Sequence, residues 1–199
     1  MNSANIAIFA SGSGSNAENI SRYLSCQLNS ENGTNIRVVL ILSNKKDAYV
    51  LSRAAQLGIE TVAFTKFELE ESLRLDHILE THKIDFIVLA GFLLKFPERL
   101  IRKYPERIVN IHPALLPAYG GKGMYGHHVH RALLSAGERE SGITIHLVDE
   151  LYDNGKHLFQ AKCGIEPEDT PESLAAKIHQ LEAEYFPKVV YDYIREVSK

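Results

Sequence analysis

Residues 5–16 read NIAIFASGSGSN: a strand-like run, NIAIFA, passes directly into a loop of serine, glycine and asparagine, SGSGSN (11–16). A helical pattern follows over about 15–28. The loop thus sits between strand and helix, where an open α/β sheet places its ligands. Further apolar, β-branched runs recur at 36–42 (IRVVLIL), 61–64 (TVAF), 84–92 (IDFIVLAGF), 107–112 (RIVNIH), 142–148 (GITIHLV) and 157–163 (HLFQAKC). Helical patterns occupy about 47–57, 68–82 and 127–136. The early runs are nearly continuous in apolar residues, as strands buried on both faces read, which implies a parallel sheet covered by helices. Only DELYDNGKH separates the last two runs, too short for a crossover helix, so these strands are expected to pair antiparallel at one side of the sheet. A long helix closes the chain. Thr170 can cap it, Pro171 suits its first position, and Leu174, Ile178, Leu181 and Tyr185 form an apolar stripe. Pro187 is expected to kink or end it. The expected fold is α/β, three-layered and Rossmann-like. Its central sheet is mostly parallel with an antiparallel strand near the C-terminal end, and helices cover both faces.

Composition bounds the function. The 199 residues suit one domain, expected to span 1–199, with a core large enough for a well-formed pocket. A formal net charge of −3 gives no broad basic footprint for nucleic acid. No apolar run approaches the roughly 20 residues that span a bilayer, and no secretory signal is visible. Cys26 and Cys163 lie far apart and outside any CxxC pattern. This argues against a disulfide framework or structural zinc, and for a cytoplasmic location.

Several stretches can carry chemistry. In SGSGSN, Gly12 and Gly14 let backbone amides approach an anion, and the helix N-terminus adds its own amides and positive dipole end. The dinucleotide fingerprint is broken, with Ala17 at its third glycine (a tolerated variant), and polar, partly basic SNKKDA (43–48) replaces a clear ribose acid. No Gly-Lys-Ser/Thr P-loop occurs. The loop therefore suits one phosphate monoester, with Ser15 and Asn16 as side-chain donors; the alternative is a plain helix-capping turn. In VNIHPALLP (109–117), Asn110 and His112 share one strand face and Pro113 ends the pairing. An amide and an imidazole there can stabilise an oxyanion, although a structural histidine beside a turn asparagine reads equally well. Downstream, Asp149, Glu150 and Asp153 are three candidates for a proton-transferring acid, and spacing does not choose among them. LAGFLLKF (89–96) can line a slot for a flat ligand or simply be a buried strand entering a helix. The loop AYGGKGMYGHH (118–128) looks mobile and suited to cover a site. His127, His128 and His130 lack neighbouring cysteines or carboxylates, so no metal is expected.

Together these segments resemble the phosphoribosylglycinamide formyltransferases, folate-dependent enzymes of purine synthesis. The matching stretches are SGSGSN, SNKKDA, VLAGFLLKF, VNIHPALLPAYGG, SGITIHLVDELYDNG, FQAK and DTPESLAAKIHQLEAEYFPKVV, from about residue 5 to 195. The resemblance implies a formyltransferase fold and transfer of a formyl group from 10-formyltetrahydrofolate to the amine of 5-phosphoribosylglycinamide, without a metal. By position it implies Asn110, His112 and Asp153 as the catalytic trio. It also implies Gly14, Ser15, Asn16 and Glu182 on the sugar-phosphate substrate, and Leu93, Leu94, Lys95, Phe96 and Asn110 on the folate. Flanking the stripe of the last helix, Glu182 would otherwise read as a solvated edge. His130 matches a family histidine near the site. The family's folate-side arginine has no clear match, and Lys66 is the candidate to replace it. Lys156 stands where proline often follows the glycine, and the loop after LLPAY looks about five residues longer than in the best-known members. The implied partners are small molecules, with neither nucleic acid nor membrane, and the implied state is a monomer or weak homodimer. Two other functions are weighed. One is formyltetrahydrofolate hydrolysis, whose enzymes carry an added N-terminal domain, expected to be absent because the first strand begins within six residues of Met1. The other is a non-catalytic sugar-phosphate or folate sensor, for which the trio would be superfluous.

Overall fold

Strand β1 (Ser3–Phe9) is buried on both faces. Ile6 and Ile8 point into one hydrophobic cluster, and Ala7 and Phe9 into a second. This computed structural model describes residues 3–28 and 35–198; the two ends of the expected 1–199 span lie outside them. The remaining strands are β2 (Asn35–Ser43), β3 (Glu60–Ala63), β4 (Phe86–Leu89), β5 (Ile108–His112), β6 (Glu140–Leu147) and β7 (His157–Gly164). They form one sheet in the order β3-β2-β1-β4-β5-β6-β7. The first five run parallel, β6 pairs antiparallel with β5, and β7 antiparallel with β6. Helices α1 (Ser15–Leu28), α2 (Tyr49–Gln56), α6 (His127–Ser135) and α7 (Pro171–Val197) bury apolar side chains in the first cluster. Helices α3 (Lys66–Glu70), α4 (Arg74–Thr81) and α5 (Glu98–Lys103) do so in the second. The three-layer, mostly parallel arrangement is the one expected, and the strand order reverses between β1 and β4, where such sheets hold ligands.

Local differences have identifiable causes. The helix expected over 68–82 is two helices. Thr65 starts α3 with a capping box: its hydroxyl accepts from Glu68 N–H at 3.2 Å and its N–H donates to the Glu68 carboxylate at 2.7 Å. Arg99 of α5 then donates to the carbonyls of Glu70 (3.2 Å) and Ser72 (2.9 Å), satisfying backbone acceptors where the helix breaks. Helix α5 follows Pro97 and is too short for periodicity to reveal. Strand β4 stops at Leu89, short of residue 92, because the backbone turns through Gly91 at φ +71°.

Pro187 does not end α7, which continues to Val197. Proline lacks the N–H that would bond the carbonyl of Ala183. The Asn19 side chain of α1 donates to that carbonyl at 2.7 Å instead. Pro187 itself is buried, facing the core with Phe186 and Val190. Of the expected stripe, Leu174 and Ile178 are buried, whereas Leu181 and Tyr185 sit at its half-buried margin. The expected outcome of Asn19→Ala is a loss of about 1 kcal/mol in chemical denaturation. That loss should shrink in a Pro187→Ala background, where a backbone N–H returns; an equal loss in both backgrounds would contradict this role for Asn19.

Candidate active site

A cleft of about 570 Å³ opens along the sheet. Its lining includes Gly14, Ser15, Asn16, Leu93, Leu94, Lys95, Phe96, Asn110, His112, His130, Asp153 and Glu182, so the fold gathers nearly all the expected residues at one place. Lys66 is outside it: this lysine begins α3, is exposed, and lies 3.6 Å from Glu70.

The centre of the cleft follows from the β5–β6 register. Asn110 pairs across from His146, and His112 from Thr144. His146 Nδ1 is 2.8 Å from the carbonyl of Leu147, which can only accept, so Nδ1 carries the proton. Its Nε2 then accepts from Asn110 Nδ2 at 3.1 Å. This chain fixes the orientation of the Asn110 amide and leaves its second N–H for the cleft. Burial holds the His146 pKa below the usual histidine range and so favours this neutral form. Motif reading assigned His146 no role of its own; its place opposite Asn110 emerges only when β5 and β6 pair.

His112 is buried. Its Nε2–H donates to the carbonyl of Tyr119 at 2.8 Å, and its Nδ1 lies 3.6 Å from Asp153 Oδ2. The structure separates the three acids. Asp149 accepts from the Leu151 N–H (2.9 Å) and the Asn154 side chain (2.8 Å), organising the turn. Glu150 faces outward to Arg102 at 2.8 Å. Asp153 alone faces His112, and its Oδ1 is 3.7 Å from His146 Nε2. It adopts φ +52°, a left-handed conformation tolerated by aspartate, and Oδ2 accepts from the Gly121 N–H at 2.8 Å. Gly120 packs here too; a Cβ on it would come within 2.5 Å of Leu116. The glycine-rich loop is therefore tied at its root to both His112 and Asp153.

Beyond His112, the loop is pinned from the antiparallel strands. Thr144 donates to the carbonyl of Ala114 (2.7 Å) and accepts from the Leu116 N–H (2.9 Å), while Gln160 of β7 donates to the carbonyl of Leu116 (2.9 Å).

At the other end lies the serine-glycine loop. Ser11 is buried, donates to Asn44 at 2.7 Å and accepts from the Leu93 N–H at 3.0 Å. It clasps SNKKDA and LAGFLLKF to the loop, so Asn44 is structural and the Leu93 N–H is already engaged. Gly14 has φ +77°, and a Cβ there would lie 2.7 Å from the Val50 backbone. Gly12 is open on that side. The first helical bond of α1 runs from Glu18 N–H to Gly14 O at 2.9 Å, leaving the N–H groups of Ser15, Asn16 and Ala17 without intrahelical acceptors. Open backbone N–H groups in this arrangement can hold an anion. Glu182, far from being a solvated edge, is buried on the inner face of α7, and Asn16 Nδ2 donates to its Oε2 at 2.9 Å. Burial raises the Glu182 pKa, while the Asn16 bond acts against that rise.

In the 90–96 segment, Phe96 is buried edge-on against Phe9 and Phe92, forming the floor of the cleft. Leu93 is exposed at the rim, and Lys95 pairs with Glu98 at 3.2 Å. Among the described residues no group of three or more His, Cys, Asp or Glu side chains is arranged to hold a metal ion. No helix among them is long and apolar enough to cross a membrane.

His130 is buried against the cleft and its Nδ1 has no hydrogen-bond partner. Burial, reinforced by His127 and His179, pushes its pKa down to about 4. Between pH 6.5 and about 4 the unfolded chain binds a proton at this position that the folded protein does not, so this residue's contribution to stability falls on acidification. Urea denaturation across that window should give a shallower pH dependence for His130→Gln than for the parent; parallel slopes would contradict a neutral, buried His130.

The formyl transferase family model matches residues 4–190. A chloroplastic phosphoribosylglycinamide formyltransferase of Arabidopsis thaliana is 43% identical over 190 residues, covering 93% of this chain and 63% of the relative. A phosphoribosylglycinamide formyltransferase of Haemophilus influenzae is 33% identical over 189 residues, covering 93% of this chain and 84% of the relative. The crystal structure of the Bacillus halodurans phosphoribosylglycinamide formyltransferase superposes with a TM-score of 0.84 at 35% identity, covering 97% of this chain and 96% of that one. The chain spans about three fifths of the length of its plant relatives, 63% and 59%. With a family match over nearly the whole sequence and a shared fold, the chain belongs to the formyl transferase family.

Proposed function

We propose that the protein transfers a formyl group from 10-formyltetrahydrofolate to the amine of 5-phosphoribosylglycinamide, giving the formylated product and tetrahydrofolate. One observation carries this reading: Asn110, His112 and Asp153 converge between a backbone anion site and an apolar-floored recess in the same cleft. The cleft volume of about 570 Å³ lies in the range of small-molecule sites. The N-terminal amides of α1 hold the phosphate, and Glu182 meets the ribose. The 93–96 segment and Asn110 border the folate, with the pterin over the Phe96 floor.

The chemistry follows from these positions. The neutral amine attacks the formyl carbon, and the carbonyl π pair moves to oxygen. The second N–H of Asn110 donates to that oxygen, and so does His112 in its protonated form. The Nε2–H of His112 is already engaged by Tyr119, so its Nδ1 edge, facing Asp153, is left for chemistry. Each oxyanion donor is worth about 2.7–4 kcal/mol by analogy with measured cases. Asp153 supports the imidazolium and passes the amine proton, through water, to the folate nitrogen as the carbon–nitrogen bond breaks. Holding both reactants in register supplies much of the remaining acceleration. No metal enters this scheme. Every group in it comes from one chain, so a monomer or weak homodimer suffices, and the span 1–199 serves as one formyltransferase domain. The two free cysteines suit a reducing, cytoplasmic setting.

Folate absorbance should change only when both formylfolate and 5-phosphoribosylglycinamide are present. Equal turnover with formylfolate alone would instead assign a hydrolase. Asp153→Asn should bind both ligands normally and lose about 100-fold or more in kcat; near-parent turnover would remove Asp153 from the mechanism.

A further inference from the structure

Asn16 occupies two places at once. Its backbone N–H belongs to the open amide set at the start of α1, before the first helical bond at Glu18. Its side-chain amide donates to the buried carboxylate of Glu182 on α7, with Nδ2–Oε2 at 2.9 Å. One of its two N–H donors is thus committed to Glu182 rather than to an anion at the helix terminus. Residues 16 and 182 are far apart in sequence, and both line the cleft. A buried carboxylate needs hydrogen-bond donors, and a charged hydrogen bond both orients and stabilises it. With Oε2 engaged by Asn16, Oε1 is the remaining acceptor for a ligand. Burial raises the Glu182 pKa and the Asn16 bond opposes the rise, so the amide helps to keep an acceptor rather than a neutral acid at this position.

We propose that the Asn16 side chain is a positioning residue for Glu182: it orients the carboxylate that reads the sugar hydroxyls, and Asn16 contributes to phosphate binding through its backbone N–H rather than its side chain. This changes the expectation that the Asn16 side chain is itself a phosphate donor. It rests on the assignment of the cleft to a ribosyl-phosphate substrate.

The test uses the intact protein and three competitive inhibitors: inorganic phosphate, ribose 5-phosphate and 2-deoxyribose 5-phosphate. Asn16→Ala keeps the backbone amide. Its inhibition constant for inorganic phosphate should stay within about twofold of the parent. That for ribose 5-phosphate should rise about tenfold, the order expected for loss of a charge-assisted hydrogen bond. The penalty for removing the hydroxyl, read from the ribose and deoxyribose pair, should shrink in Asn16→Ala and in Glu182→Gln, and the double variant should add little to either alone. If weakening is equal for all three inhibitors, including inorganic phosphate, the side chain acts on phosphate and the proposal is overturned. If the parent does not distinguish ribose from deoxyribose, or Glu182→Gln leaves that distinction intact, the sugar assignment of the cleft fails instead. Should Asn16→Ala not fold, Asn16→Ser, too short to reach Glu182, carries the same expectations.

Discussion

The antiparallel pairing of β5 with β6 is the constraint on which the rest of the site depends. A parallel neighbour on that edge would need a crossover connection lying over the sheet. The reversed strand instead brings β6 against β5 with His146 opposite Asn110 and Thr144 opposite His112. One pair orients the amide. The other fastens the loop leaving His112, through the Thr144 hydroxyl and with help from Gln160 on the next strand. The turn following β6 then returns Asp153 to the same place. The side chains at the centre of the cleft are thus fixed by sheet hydrogen bonding and by the turn that follows it rather than by mobile loops alone.

Burial sorts the charges around this centre. His146 and His130 are kept neutral by desolvation, which leaves His112 as the imidazole with a carboxylate facing its open edge. Asp149 and Glu150 are tied to a turn and to a surface arginine, so the run of three acids presents one carboxylate to the imidazole. At the far end, Ser11 joins three loops through two hydrogen bonds, and the close approach of Gly14 to Val50 sets the first turn of α1. The open amide set at the start of α1 is therefore a product of packing as much as of glycine content. The glycine-rich loop links these two side chains, since its root bonds both His112 and Asp153.

Much of this was legible beforehand because the signals are local. Continuous apolar strands announce a covered parallel sheet, and the alternation in VNIH places Asn110 and His112 on one face. A nine-residue gap excludes a crossover before β7. Signals that fail do so where a distant side chain intervenes. Pro187 does not stop α7 because Asn19 takes over the stranded carbonyl. The single helix expected at 68–82 is broken after Glu70, where Arg99 donates to the carbonyls of Glu70 and Ser72. Glu182 looks like a solvent-facing edge until α1 and α7 pack and Asn16 reaches it.

By itself the sequence determined the layer architecture, the antiparallel pairing of the last two strands, the loop that can hold a phosphate and the asparagine-histidine pair, since each depends on periodicity or on neighbours a few positions apart; that β6 also reverses against β5 came only with the sheet. Its likeness to a known family singled out Asp153, which spacing alone did not. Tertiary structure decided which partners these residues have: His146 for Asn110, Tyr119 and Asp153 for His112, Glu182 for Asn16, and an outward place for Lys66. Hydrogen bonds and burial join residues that are remote along the chain. Their geometry exists only after strands have found their register and helices have packed against the sheet.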